Sequence, residues 1–423
     1  MISPQKTFQS ADILLPDFSK TDGTLWAVVA CDQYTAEPQY WQTAERLVGD
    51  APSTLRMILP EIYLKETEAR IPSINEEMGR ALKEYLVCYP DAMIHLCRTQ
   101  SDGGMRHGII GAADLEQYDF HPNSNTLIRA TEETVLERIP PRVAIRRDAP
   151  LELPHSILLI DDPEYSVIEP LDTACQRRPP LYEFDLMLGG GHVRAHLLTK
   201  DEQTATLDAL EALCTPDAMK KRYNDASLAP LLFAVGDGNH SLATAKTVYE
   251  ELKRAIGADA AMKHPARYAL TEVVNLHDAG LSFEPIYRVV FGCDPDALIR
   301  DLKSHVATLN GNAAPQRIVC ICANKEERVM VEYPTQQLAV GTLQSFLDGY
   351  LTEHPEATVD YIHGEQSLRT LSAQPSTVGF LFDGMQKDAL FRTVIYDGAL
   401  PRKTFSMGHA QDKRYYLECK YIK

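Results

Sequence analysis

The chain reads as an α/β protein with a mixed sheet and a further α+β lobe towards its C-terminal side. Two observations carry that reading. Apolar runs of strand length, such as LLFAVGD and HSILLIDD, alternate with amphipathic helical stretches such as SINEEMGRALKEYLVCY. Their order is irregular, unlike the regular βαβ repetition of a doubly wound Rossmann sheet. The chain has 423 residues, of which 44% are hydrophobic, so a core can form. Residues 1–310 are expected to form the main lobe and residues 311–423 the second one.

In chain order, LWAVVACDQY reads as a buried strand entering a loop, apolar on both faces. PQYWQTAERLVG starts a helix with Pro38 in its first turn. SINEEMGRALKEYLVCY follows as a helix with Ile74, Met78, Ala81, Leu82 and Tyr85 on one face. MIHLCRTQSDGGMRHGIIGAADLEQYDF reads as two strands about an Asp-Gly-Gly turn. HSILLIDD is a strand, LYEFDLM and HVRAHLL pair across Gly189–Gly191, and His192 falls at that hairpin tip. ATLDALEALC and HSLATAKTVYEELKRAIG are helical. Beyond residue 310, IVCICA, ERVMVEY, TVGFLFDG and LFRTVIYD read as strands and LQSFLDGYLTEH as a helix.

With 42 Lys+Arg against 59 Asp+Glu the net charge is −17. That balance opposes a nucleic-acid partner, which needs a positive surface to displace counterions. No apolar run approaches the roughly 20 residues of a membrane span, so no membrane partner is expected. Nine scattered cysteines without a CxxC pair point to buried free thiols, including Cys320 and Cys322 on one apolar strand, and to a reducing, cytoplasmic setting.

The most informative stretch is LLFAVGDGNHSLATAKTVYEELK. An apolar strand ends at Gly236, Asp237, Gly238, Asn239 and His240, and a helix follows from Ser241. Two glycines allow a tight turn and a close backbone approach. A new helix offers unsatisfied N–H groups and a positive dipole end, which suit phosphate or carboxylate. Asp237 is placed to hold a metal ion or position a hydroxyl, His240 to donate to a phosphate oxygen, and Ser241 to cap the helix and touch the anion. The same residues equally suit an ordinary strand-to-helix turn in which Asp237 or Asn239 is a cap.

VGDGNHSLATA is similar to the DGHHR-type motif of the domain-of-unknown-function family 1015, in a branch that carries DGNHS. VVACDQYTAEPQYW, IRATEETVLERIPPR, LSFEPIYRVV and LPRKTFSMGHA resemble further segments of that family, in the same order along nearly the whole chain. Tyr287 stands where the family usually has His, and Ser241 where it often has Arg. The turn also resembles the ParB/sulfiredoxin group, which includes free-serine kinases. This resemblance implies a ParB/sulfiredoxin-like, phosphate-binding core, and a phosphate-bearing small molecule as partner.

Other candidates stand beside an ordinary reading. Asp32, Gln33 and Tyr34 follow a buried strand, where polar residues line a crevice or form an Asx turn. Cys31 would need a base and exposure to act as a nucleophile. If IRATEETVLERI is helical, Arg129 shares a face with Glu132 and Glu133, either as a solvated ion pair or as a phosphate clamp beside a general base. Arg288 is placed to meet an anion or to form a salt bridge. Lys403, with Arg402 and His409, makes a basic cluster against the overall charge.

The leading expectation is a small-molecule phosphotransferase, serine kinase-like, with a nucleotide or pyrophosphate donor and Mg²⁺ at Asp237. Glu132, Asp32 and Asp237 are its catalytic candidates, and Gly236, Gly238, Asn239, His240, Ser241, Arg129, Arg288 and Lys403 its phosphate or nucleotide contacts. The rival is a non-catalytic protein that senses a phosphorylated metabolite or nucleotide.

Overall fold

Most strand-forming runs in the first two-thirds of the chain assemble into one mixed sheet, as the irregular alternation predicts, while Ala11–Pro16, Leu86–Ala92 and Leu151–Glu152 join Cys419–Tyr421 in a separate four-stranded sheet. The computed structural model describes residues 6–121, 124–134, 139–225, 227–323 and 325–423. Among these, the main sheet has ten strands. Nine run in the order Tyr182–Asp185, His192–Leu197, Ile94–Thr99, Met105–Asp114, Tyr268–Asn275, Ile157–Ile160, Phe233–Asp237, Ile128–Ala130 and Tyr118–Asp119. Phe8–Gln9 pairs additionally with Met105–Asp114. Ile157–Ile160 runs parallel to Tyr268–Asn275 but antiparallel to Phe233–Asp237, which is the mixture.

The chain divides into two compact units. The first holds residues 1–130, 134–281 and 409–423; the second holds 131–133 and 282–408. The division therefore falls near 281 and not at 310, and the last fifteen residues rejoin the first unit. The physical reason is β-pairing. Tyr415–Tyr416 pairs with Val28–Val29, and Cys419–Tyr421 pairs with Ala11–Pro16 and with Leu151–Glu152.

Within the first unit the strand period of two sorts neighbours into different cores. Ile110 belongs to the core that holds Trp26, Trp41 and Tyr415, whereas Ile109 belongs to the one that holds Phe233, Tyr249 and Val273. Each such large apolar side chain contributes about 1.5–3 kcal/mol on burial.

The second unit is built on an antiparallel sheet in the order Lys325–Val331, Gln316–Cys322, Thr377–Phe382, Phe283–Phe291 and Thr358–His363. Cys320 and Cys322 are buried free thiols in it, as their alternation predicts.

Three local expectations are corrected. LWAVVACDQY is a strand only over Val28–Val29; Gly23–Trp26 is a helical turn capped by Asp22, which accepts from the Thr24 amide at 2.9 Å. LFRTVIYD is not a strand but the helix Ala389–Tyr396. Its buried residues Leu390, Phe391, Thr393 and Val394 follow a helical stripe, and tertiary packing overrides the strand preference of its branched residues. Arg129 lies in the strand Ile128–Ala130, not on a helix. Parallel pairing with Phe233–Val235 supplies its backbone bonds, so the helical face it was to share with Glu132 does not exist. Residues 135–138 of the same segment lie outside the described residues.

No helix among the described residues is long and apolar enough to cross a membrane.

Candidate functional site

The turn that the sequence singles out forms between the strand Phe233–Asp237 and the helix Asn239–Ile256. Phe233, Ala234 and Val235 are fully buried, which anchors the strand; Gly236 and Asp237 are half-buried at its end. Gly238 makes the turn at φ +74°, in the left-handed region. A Cβ there would lie 2.7 Å from Ser156 Oγ and 2.8 Å from Ser156 Cα. Ser156 Oγ in turn donates to the Gly238 carbonyl at 3.3 Å. Glycine is therefore required twice over, by conformation and by space.

Asp237 sits at the positive end of an 18-residue helix. Its Oδ1 accepts from the Gly238 amide at 2.9 Å. Its Oδ2 is buried without a hydrogen-bond partner and lies 3.4 Å from Lys413 Nζ. Asn239, His240 and Ser241 form the first turn of the helix and are half-buried; the His240 carbonyl accepts from Thr244 Oγ1 at 2.7 Å.

A second carboxylate belongs to the same neighbourhood. Asp32 lies in the turn after Val28–Val29, and Gln33 Nε2 donates to its Oδ1 at 3.0 Å. His155 Nε2 is 4.0 Å from Asp32 Oδ2. Burial raises the Asp32 pKa, but His155, Gln33 and Lys413 outweigh burial and hold it below its ordinary value. The other ring nitrogen of His155 pairs with Tyr416 Oη at 2.9 Å, and the Cys31 amide donates to the same hydroxyl at 3.3 Å. Burial and the Asp32 charge push the Cys31 thiol up to about 12, so it is not an activated nucleophile.

The first unit thus brings Asp32, Asp237, Gly238 and the helix start together with four residues that sequence reasoning missed: His155, Ser156, Lys413 and Tyr416. A signal existed for two of them. His155-Ser156 directly precedes the apolar run ILLI, and antiparallel pairing of that run with LLFAVGD sets Ile157 opposite Asp237. Lys413 and Tyr416 carried none, because their strand partner is nearly 390 residues away.

The remaining candidates are placed otherwise. Arg129 is buried, with Nε donating to the Thr126 carbonyl and Nη2 to the carbonyls of Ala229 and Pro230. Arg288 lies within the strand Phe283–Phe291, fully buried. It donates to the carbonyls of Ile286, Lys403 and Arg402 and to Gln344 Oε1. Burial pushes its pKa down to about 10. Glu132 bridges to Leu400, and Lys403 is exposed with Nζ 5.0 Å from the Tyr361 ring centroid. Glu132, Arg288 and Lys403 belong to the second unit, while Asp32, Arg129, Asp237 and His240 belong to the first.

Several solved structures align with the chain. A conserved hypothetical protein from Pyrococcus furiosus shares 10% identity over 71% of this chain and 90% of its own, at a TM-score of 0.34. Free serine kinase in complex with AMP shares 9% over 75% and 91%, at 0.37. SbnI with a C-terminal truncation, from Staphylococcus aureus, shares 9% over 71% and 82%, at 0.35. No curated protein matches the sequence. The family model described as "Protein of unknown function (DUF1015)" matches residues 16–350, which is most of the chain and includes the turn at Asp237 and its partners Asp32 and His155; the chain belongs to that family.

Proposed function

We propose that the first unit carries a small-molecule phosphotransferase site, serine kinase-like, with a nucleotide or pyrophosphate as donor. The observation that supports this best is the buried Asp237 Oδ2. It has no hydrogen bond, stands at a helix N-terminus and lies beside the Lys413 ammonium. A carboxylate in that position has bonding capacity left over for a ligand.

In this reading the donor phosphates lie against the first turn of the helix Asn239–Ile256, with Lys413 as the counter-charge. Asp32, held ionised, accepts the proton of the substrate hydroxyl. The hydroxyl oxygen forms a bond to the terminal phosphorus, and the bond from that phosphorus to its bridging oxygen breaks. Gly236 and Gly238 allow the close approach, and Asn239, His240 and Ser241 face the phosphates. Mg²⁺ commonly takes one or two protein carboxylates and completes its shell with substrate phosphates and water, and Asp237 Oδ2 fits the protein share of such a site. Bound there, it would neutralise charge on the donor.

One observation favours a non-catalytic sensor of a phosphorylated metabolite or nucleotide. The Arg129 guanidinium is committed to three backbone carbonyls, so the clamp expected for a transferred phosphoryl group is engaged elsewhere.

The test is a phosphoryl-transfer assay on free serine with ATP, ADP and pyrophosphate as donors, run beside thermal shift. Asp237→Asn is expected to lower turnover about 100-fold or more with an unchanged melting temperature. Lys413→Met is expected to raise the donor KM. A donor that shifts melting without turnover establishes the sensor instead. Neither turnover nor a shift defeats both readings.

A further inference from the structure

We propose that the first unit also contains a metal site, built for Zn²⁺ from His95, His196 and Cys175 and separate from the turn at Asp237. One ligand atom from each of these residues lies within 4.8 Å of the other two. The placement follows from the sheet. His95 and His196 are direct partners across the antiparallel strands Ile94–Thr99 and His192–Leu197, so their rings leave the same face. Cys175, from the helix Glu169–Cys175, belongs to the apolar core against that face, with Met93 and Leu198.

The independent observation is unmet bonding. His95 is 1% exposed, yet neither ring nitrogen has a hydrogen-bond partner. His196 is 4% exposed, and its Nδ1 is likewise buried and unpartnered. Folded proteins rarely leave such groups unpaired, and a shared cation would take one unpartnered nitrogen from each ring at once.

The surroundings match the outer shell of a metal site. The buried, unpartnered Nδ1 of His196 is the ring nitrogen left for the metal. Arg178 Nη2 lies 3.3 Å from Cys175 Sγ, as a donor to the sulfur, and its charge is balanced by a two-pronged pair with Glu202 at 2.9 and 2.7 Å. Two imidazoles and one thiolate suit a borderline-soft, tetrahedral cation, with a fourth position for water or another ligand. On binding, the sulfur–zinc bond forms as the Cys175 thiol proton leaves to solvent.

The experiment uses the full chain, stripped with chelator, dialysed against Zn²⁺ alone and then analysed for bound metal. One Zn²⁺ per chain is expected. Co²⁺ in its place should give a thiolate-to-cobalt charge-transfer band. Cys175→Ser and His196→Gln are each expected to abolish that band and weaken metal binding by about 100-fold or more, beyond the 10–100-fold typical of outer-shell changes. Circular dichroism shows which variant folds, and either one suffices. No bound zinc, or a cobalt band that survives in a folded variant, overturns the site. Phosphoryl-transfer activity plays no part in either outcome.

Discussion

Asp237 in the first unit and Arg288 in the second are both charged residues of sheet strands, and both have the chemistry of a phosphate site. They differ in what their polar atoms already do. Arg288 is fully buried and donates to three carbonyls and a side-chain amide, with its guanidinium carbon 4.8 Å above the centre of the Tyr361 ring. Asp237 keeps one buried carboxylate oxygen without a hydrogen bond. The first arrangement holds backbone in place; in the second that oxygen has only the Lys413 ammonium, 3.4 Å away, beside it, and the proposed function gives the remaining capacity to a ligand.

The strongest way to break this contrast is Arg288→Ala. It removes several charge-assisted bonds, each about 1.5–3 kcal/mol, and leaves buried carbonyls unpaired. A loss of about 3 kcal/mol or more is expected in urea unfolding. Arg288→Lys should recover only part of it, since an ammonium cannot reproduce the planar fork. A stable Arg288→Ala protein with weakened donor binding would move Arg288 to the ligand side of the comparison.

Acid sharpens the contrast next. Burial raises Glu272, but the guanidinium groups of Arg106 and Arg414 outweigh it and hold the carboxyl below its ordinary value. Burial likewise raises Glu152, and Lys420 and Arg146 outweigh it. A lowered carboxyl contributes stability above its unfolded pKa, near 4.5, and that stability is lost as the pH falls through the folded value. In the second unit burial raises Asp397, whose contribution has the opposite sign and fades as the pH rises through the folded value. Hydrogen exchange between pH 5 and 3, corrected for intrinsic rates, should therefore show Tyr268–Asn275 losing protection before Gln316–Cys322. The reverse order would refute this assignment.

Gly238→Ala is expected to cost about 1–3 kcal/mol, through the left-handed φ and the contact with Ser156. Donor binding should weaken with it, because the turn must shift; a melting temperature equal to wild type would mean the turn is slack. Lys403→Ala is the smallest change. The side chain is exposed, so stability should stay within about 0.5 kcal/mol by thermal melting.

Local periodicity made much of the fold legible. The hairpin about Asp102-Gly103-Gly104, the helix from Pro38 and the strand–turn–helix at Asp237 all rest on contacts close in sequence. The candidate site was half legible for the same reason. Asp32 and Asp237 lie at ends of apolar strands, which a pattern reveals. Lys413 reaches Asp237 only because Tyr415–Tyr416 pairs with Val28–Val29, and no local period encodes that pairing. LFRTVIYD shows the converse failure. Its branched residues favour a strand in isolation, whereas four buried positions on a helical stripe decide the outcome.

The pairing of Val28–Val29 with Tyr415–Tyr416 also orders events during synthesis. The ribosome delivers Asp32, His155 and Asp237 long before residue 409, and residues 282–408 emerge in between. A nascent chain stalled anywhere in that interval has both carboxylates but neither the Lys413 ammonium nor the Tyr416 hydroxyl. The second unit can collapse while the first still has open strand edges, which a chaperone or a neighbouring nascent chain can occupy. Under the proposed function, the arrangement of Asp32, Asp237 and Lys413 is complete only once the segment around residue 416 has left the exit tunnel, so translation itself sets the moment at which it comes into being.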